Sequence, residues 1–184
     1  MHQERYTGRG IGVAVLDTGI YPHMDFDNRI WMFFDFLSHR SSPYDDNGHG
    51  TCVAGILGGS GKASYGKYKG MAPGCGIVAL KVLDRFGNGN KEDVLRAFRW
   101  LLRYKEQYRI RVVNISVGTT YKTKDEHFAL IQAVEELWDA GLIVVAAAGN
   151  QGPSPGSVTA PGCSKKIITV GSSDMLQGNG AVSG

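Results

Sequence analysis

The sequence predicts an α/β domain on a mainly parallel sheet covered on both faces, and two observations carry the prediction. Short apolar runs alternate with longer amphipathic stretches, and helix-sized intervals separate the middle runs, as crossovers between parallel strands require. Glycine, at 26 of 184 residues, gathers at 48–61, 66–76 and 171–184, which places tight loops around a regular scaffold. A chain of this length is the size of one domain with a substantial core.

Taken in order, 11–16 (IGVAVL) reads as the first buried strand and runs straight into Asp17, Thr18 and Gly19. No regular element is assigned to 20–47. Its His23, Asp25, Asp27, His39 and Asp45 lack a helical i, i+4 ligand pair and a close cysteine partner, so they read as solvated loop charges and not as zinc or hard-metal ligands. In DDNGHGTCVAGIL (45–57), Val53, Ile56 and Leu57 recur at helical spacing. That puts His49 in the first turn of a buried helix, with Gly48 and Gly50 letting neighbouring backbone come close. The run 77–83 (IVALKVL) is the next strand. A helix then starts at the N-cap Asn90, with Asp93 three residues on, carries Val94, Leu95, Phe98, Leu101 and Leu102 on one face, and ends near Tyr108. The strand 112–117 (VVNISV) holds Asn114 and Ser116 at its end. A helix over about 124–140 carries Phe128, Ile131, Val134, Leu137 and Trp138 and stops at Gly141. Strands 142–148, closing on Asn150, and 167–170 complete a pattern in which each of these two helices feeds a strand.

The bulk properties exclude several classes. A formal charge of +3, with basic residues spread over many segments, gives nucleic acid or membrane binding little electrostatic support. Cys52, Cys75 and Cys163 form no CxxC pair, and their odd number argues against a disulfide framework. Cys52 is expected to be a buried structural thiol. No apolar run is long enough to span a bilayer and no leader pattern is present, which leaves a cytoplasmic protein or a secreted form without its leader. The turn after the first strand, DTGIYPHMD, is not the glycine fingerprint of a dinucleotide site, and no cofactor is expected.

In open parallel sheets, reactive groups gather beyond the carboxyl ends of the strands. Asp17, the Asn114–Ser116 pair and Asn150 all stand at such ends. An aspartate there and a histidine at a nearby helix start are two thirds of an acid, base and nucleophile relay. The carboxylate holds the imidazole in one tautomer, and the imidazole takes the proton of an attacking hydroxyl.

The segments VAVLDTGI, DDNGHGTCVAGIL, GMAPGCGIVALKVLDRFGNG, VVNISVG and VVAAAGNQG, in that order, resemble the subtilases, the subtilisin-like serine peptidases, over nearly the whole chain. The resemblance implies a three-layer, mainly parallel twisted sheet flanked by helices, a polypeptide substrate, and hydrolysis through an Asp-His-Ser triad. It gives Asp17 and His49 the roles of triad aspartate and general base, and Asn150 that of side-chain donor to the oxyanion. Ser116, Val117 and Gly118 resemble one wall of the primary specificity pocket, and Ala147, Ala148 and Gly149 the other. Gly87, Asn88 and Gly89 resemble the opposite edge, where an extended peptide adds as a strand.

The family's nucleophile motif, G-T-S-x-A, has no counterpart up to Gly184, and Ser172, Ser173 and Ser183 lack its flanking residues. Residues 1–184 therefore read as one incomplete peptidase domain with its C-terminal part missing. Such a chain is expected to hydrolyse peptides negligibly and to self-associate through an uncovered flank of its sheet. The alternative is a noncatalytic, peptide-binding pseudoprotease. Many relatives hold calcium between the histidine helix and the next strand. Here that stretch carries Lys62, Lys67 and Lys69 and no carboxylate, and Asp25 lacks the partners of a calcium ligand, so no metal is expected.

Overall fold

The computed structural model describes residues 6–118, 124–152 and 154–172. Among them the strands β1 (Gly12–Asp17), β2 (Ile30–Asp35), β3 (Gly76–Lys81), β4 (Ile110–Ile115), β5 (Ile143–Ala147) and β6 (Ile168–Val170) form one sheet in the order β2-β3-β1-β4-β5-β6. Every neighbouring pair is parallel. The helices α1 (His49–Gly58), α2 (Lys91–Tyr104) and α3 (Lys124–Asp139) flank it, giving the α/β fold with a mainly parallel sheet that the sequence predicts. β1 and β3 are buried at every residue, which is why they read as unbroken apolar runs with no polar alternation.

Side-chain alternation divides the interior in two. Ala14, Leu16, Val78, Leu80, Val113, Ile115, Val144 and Ala146 meet α2 and α3 in the larger core. Val13, Val15, Ile77 and Ala79 meet α1 on the other face. β2 is the strand that the sequence reading does not anticipate. Its apolar run lies inside a span rich in Asp and His, and as an edge strand it is only partly buried.

Asn90 caps α2, accepting from the Asp93 N–H at 2.8 Å and donating to the Asp93 carboxylate. The helix ends at Tyr104, earlier than the expected Tyr108, because Arg109 takes a φ of 48° and the Ile110 N–H turns back to the Lys105 carbonyl. In α3 the buried stripe is Leu130, Val134 and Leu137, whereas Phe128, expected on the apolar face, points outward and is 68% exposed. The expectation of a buried α1 needs a similar correction. Its small residues Gly50, Ala54 and Gly58 face the sheet, so the helix lies close to it, but Ile56 is left 66% exposed. Cys52 is exposed and not the buried thiol expected; Cys75 is buried, and Cys163 places its Sγ 2.9 Å from Nε2 of His127.

Candidate active site

The chain runs from β1 to the β2 edge and back through β3, then crosses to β4 on the other side of β1. The crevice of such a sheet opens where the strand order reverses, at the carboxyl end of β1. Two glycines let α1 start there. Gly48 occupies its N-cap with a φ of 99°, a left-handed conformation that favours glycine. A Cβ on Gly50 would lie 2.2 Å from the Gly19 carbonyl oxygen, so any side chain would push the helix off the strand end.

Asp45 fixes the loop between them. Its carboxylate accepts from the Thr18 hydroxyl, from the N–H groups of Asn47, Gly48 and Thr51, and from the Thr51 hydroxyl at 2.6 Å. Burial alone would raise this carboxyl, but the Thr51 hydroxyl and the backbone donors outweigh it and hold the pKa down to about 2. Asp45 is thus a tightly bonded anion at a helix start and not the solvated loop charge expected from the sequence.

Asp17, only 1% exposed, closes β1. Its Oδ1 lies 2.7 Å from Nδ1 of His49 and also accepts the Thr18 N–H at 2.7 Å. Oδ2 is buried and has no hydrogen-bond partner among the described residues. The His49 side chain is 56% exposed, so a buried carboxylate grips one ring nitrogen while the rest of the imidazole faces solvent. A carboxylate at Nδ1 selects the tautomer with its proton there and leaves Nε2 a free base.

A cleft of about 1170 Å³ extends from His49. Gly87, Asn88 and Gly89 line one side and Ser116, Val117 and Gly118 the other, with Ala147, Gly149 and Asn150 at the end of β5. Ala148 is the one residue of this set that does not line the cleft. Its N–H is given to the Val170 carbonyl and its carbonyl receives the Thr159 N–H, which turns it into the sheet. Thr159 was not singled out in the sequence, yet it lines the cleft between the two walls. Its Oγ1 lies 2.2 Å from where a Cβ on Gly149 would stand and 3.2 Å from one on Gly118. No motif marks it, because it lies in an irregular loop 11 residues beyond Ala148 and far in sequence from Gly118. Ser172 follows β6 and is exposed, while Ser173 and Ser183 lie outside the described residues.

No group of three or more His, Cys, Asp or Glu side chains is arranged to hold a metal ion among the described residues. The Asp25 Oδ1 accepts the Ala63 N–H at 2.7 Å, and Lys62 places its Nζ 3.0 Å from Asp27 Oδ1. No described helix is long and apolar enough to cross a membrane.

Comparison with known proteins is consistent in kind. The model of the "Subtilase family" matches residues 8–183. The chain is 43% identical over 173 residues to the serine protease AprX of Bacillus subtilis, covering 91% of this chain and 39% of that protein. It is 35% identical over 173 residues to subtilisin Savinase of Lederbergia lenta, covering 94% of this chain and 59% of that protein. Among solved structures it is similar to sphericase, with a TM-score of 0.75 at 31% identity, covering 89% of this chain and 53% of that one. The chain thus spans about two fifths to three fifths of the length of these relatives.

Proposed function

The chain belongs to the subtilase family, and from that premise we propose that residues 1–184 form the acid-base half of a serine endopeptidase that cleaves polypeptide chains. The observation that carries the reading is the 2.7 Å bond between a buried carboxylate and a solvent-facing imidazole at the mouth of the cleft. Asp17 orients His49, and Nε2 of His49 takes the proton of a serine hydroxyl as that oxygen attacks the scissile carbonyl. The same nitrogen then returns the proton to the leaving amine. The Asn150 amide donates to the oxygen on which negative charge develops. An extended substrate adds as a strand between 87–89 and 116–118, and one side chain enters the pocket between 116–118 and the pair Ala147 and Gly149, with Thr159 as its floor.

The attacking serine belongs to a segment outside these residues. Apolar side chains without cover among the described residues support this reading: Ile56 of α1 and Met71, and Ile143, Ile168 and Val170 on the same face of β5 and β6. As it stands, the 184-residue chain pairs with itself through this face and turns over peptides negligibly.

The test joins a segment bearing Gly-Thr-Ser-x-Ala to the C-terminus and measures hydrolysis of an unstructured protein substrate. Hydrolysis is expected in the extended chain, reduced about 10⁴-fold or more by His49→Ala or Asp17→Asn. Equal hydrolysis by the His49→Ala protein overturns the reading. Peptide binding without hydrolysis would favour the pseudoprotease. Sedimentation of the unextended chain tests the pairing, which Ile168→Lys with Val170→Lys is expected to abolish; an unextended chain that is monomeric at every concentration overturns it.

A further inference from the structure

Lys81 is the last residue of β3 and only 2% exposed, an unusual place for an ammonium group. The strand register sets it between Asp17 of β1 and Asp35 of β2, so three buried ionisable residues form one row across the carboxyl edge of the sheet. Neither carboxylate is its hydrogen-bond partner. Asp35 accepts instead from the N–H groups of Leu37 and Ser38 and from the hydroxyls of Ser38 and Tyr44. The Asp17 carboxylate is held by Thr18 and His49.

The three protons of Lys81 go to three different segments. Nζ donates to the Thr18 carbonyl at 2.6 Å, to the Leu83 carbonyl at 2.8 Å and to Oδ1 of Asp46 at 2.7 Å. The Tyr44 ring lies 5.2 Å away and offers its π face to the same cation. An ammonium carries three donors and no acceptor, so every donor is satisfied here, as a buried charge requires.

These acceptors adjoin the Asp17–His49 pair and the cleft. Thr18 follows Asp17 directly and gives its own N–H to the Asp17 carboxylate. Asp46 stands three residues before His49, and Leu83 begins the loop to Gly87–Gly89. We infer that Lys81 is a positioning residue: its buried ammonium ties the Asp17 strand end, the loop that delivers His49 and the substrate-binding edge into one rigid unit. An apolar side chain of similar length would leave the Thr18 and Leu83 carbonyls buried without a donor and remove the Asp46 tie from a loop that Asp45 still holds. The effect would reach His49 through its bond to Asp17 without any contact between Lys81 and substrate.

The inference rests on Asp17 and His49 acting as a pair, and its test needs no serine. In the 184-residue chain, the Nδ1 proton of His49 bound to Asp17 should appear in the proton NMR spectrum downfield of the amide envelope, identified by its loss in His49→Gln. Lys81→Met is expected to raise the exchange of that proton with water at least about tenfold, the scale of one hydrogen bond to a charged group. Asp46→Ala, on an exposed side chain, is expected to act in the same direction while leaving the amide spectrum of the sheet unchanged. A folded Lys81→Met chain with an unchanged Nδ1 proton overturns the role; should that variant not fold, an unchanged proton in Asp46→Ala does so. Absence of the resonance from the unsubstituted chain would instead count against the Asp17–His49 pair itself.

Discussion

The two faces of the sheet are finished to different degrees. On the face under α2 and α3, side chains from β1, β3, β4 and β5 are all buried in a single core. On the opposite face α1 covers β1 and β3, while Ile143, Ile168 and Val170 of β5 and β6 are each about half exposed. The polar network belongs to this second face. Asp17, Asp35, Asp45 and Lys81 are buried or bonded at its α1 end, whereas its β5–β6 end offers mostly apolar surface. The Asp17–His49 bond is therefore assembled from contacts within these residues, and the apolar flank is left open among the described residues.

The largest effect that sharpens this contrast is a pair of truncations. Leu101 is fully buried between α2 and the sheet, and Leu101→Ala is expected to destabilise the chain by about 2–5 kcal/mol. Val170→Ala, at a side chain 54% exposed in the single chain, is expected to stay within about 0.5 kcal/mol at a dilution where paired chains have separated. Urea unfolding midpoints check both. Similar losses at the two sites in the dissociated chain would mean that the flank is covered within one chain.

Much of this arrangement was legible in the sequence, for physical reasons that differ by element. β1 and β3 announce themselves because strands buried on both faces must be apolar throughout. Asn90 and Asp93 mark the start of α2 because the cap is a local bond. β2 was not legible, since its neighbours in sequence are acidic and only its pairing with β3 defines it. α1 misled in the opposite sense: its large residues suggested burial, but the face that packs is Gly50, Ala54 and Gly58. Asp17, His49 and Asn150 could be picked out by motif, whereas Lys81 and Thr159 act through contacts made 63 and 11 residues away in the chain, which no local pattern records.

A second, smaller effect tests the seam where β4 and β5 end. Thr159 packs against Gly118 and Gly149, so its side chain limits the depth of the pocket between those walls. In the serine-bearing protein, Thr159→Gly is expected to shift preference toward larger substrate side chains by about 10- to 200-fold in kcat/KM, the usual worth of a few apolar atoms in a pocket. The comparison of peptides with alanine and phenylalanine at the entering position measures it. An unchanged ratio would place the pocket elsewhere in the cleft.

The smallest effect lies within the covered half and carries a sign. The Asp45 pKa, about 2 in the fold, is below its ordinary value of 3.8, so the unfolded chain binds the extra proton first as the solution is acidified. The stabilisation is therefore complete above about pH 4 and is lost as the pH falls toward 2. Because Asp45 is only partly buried, solvent screening reduces it to on the order of 1 kcal/mol. Asp45→Asn removes the charge while keeping nearly the same shape, and should lower stability by that amount at pH 6. The difference between the two proteins should shrink as both are titrated to pH 3, since the groups that they share cancel in the comparison. A constant difference across that range would mean that Asp45 holds α1 through the shape of its hydrogen bonds alone, and that its charge contributes nothing at the helix start.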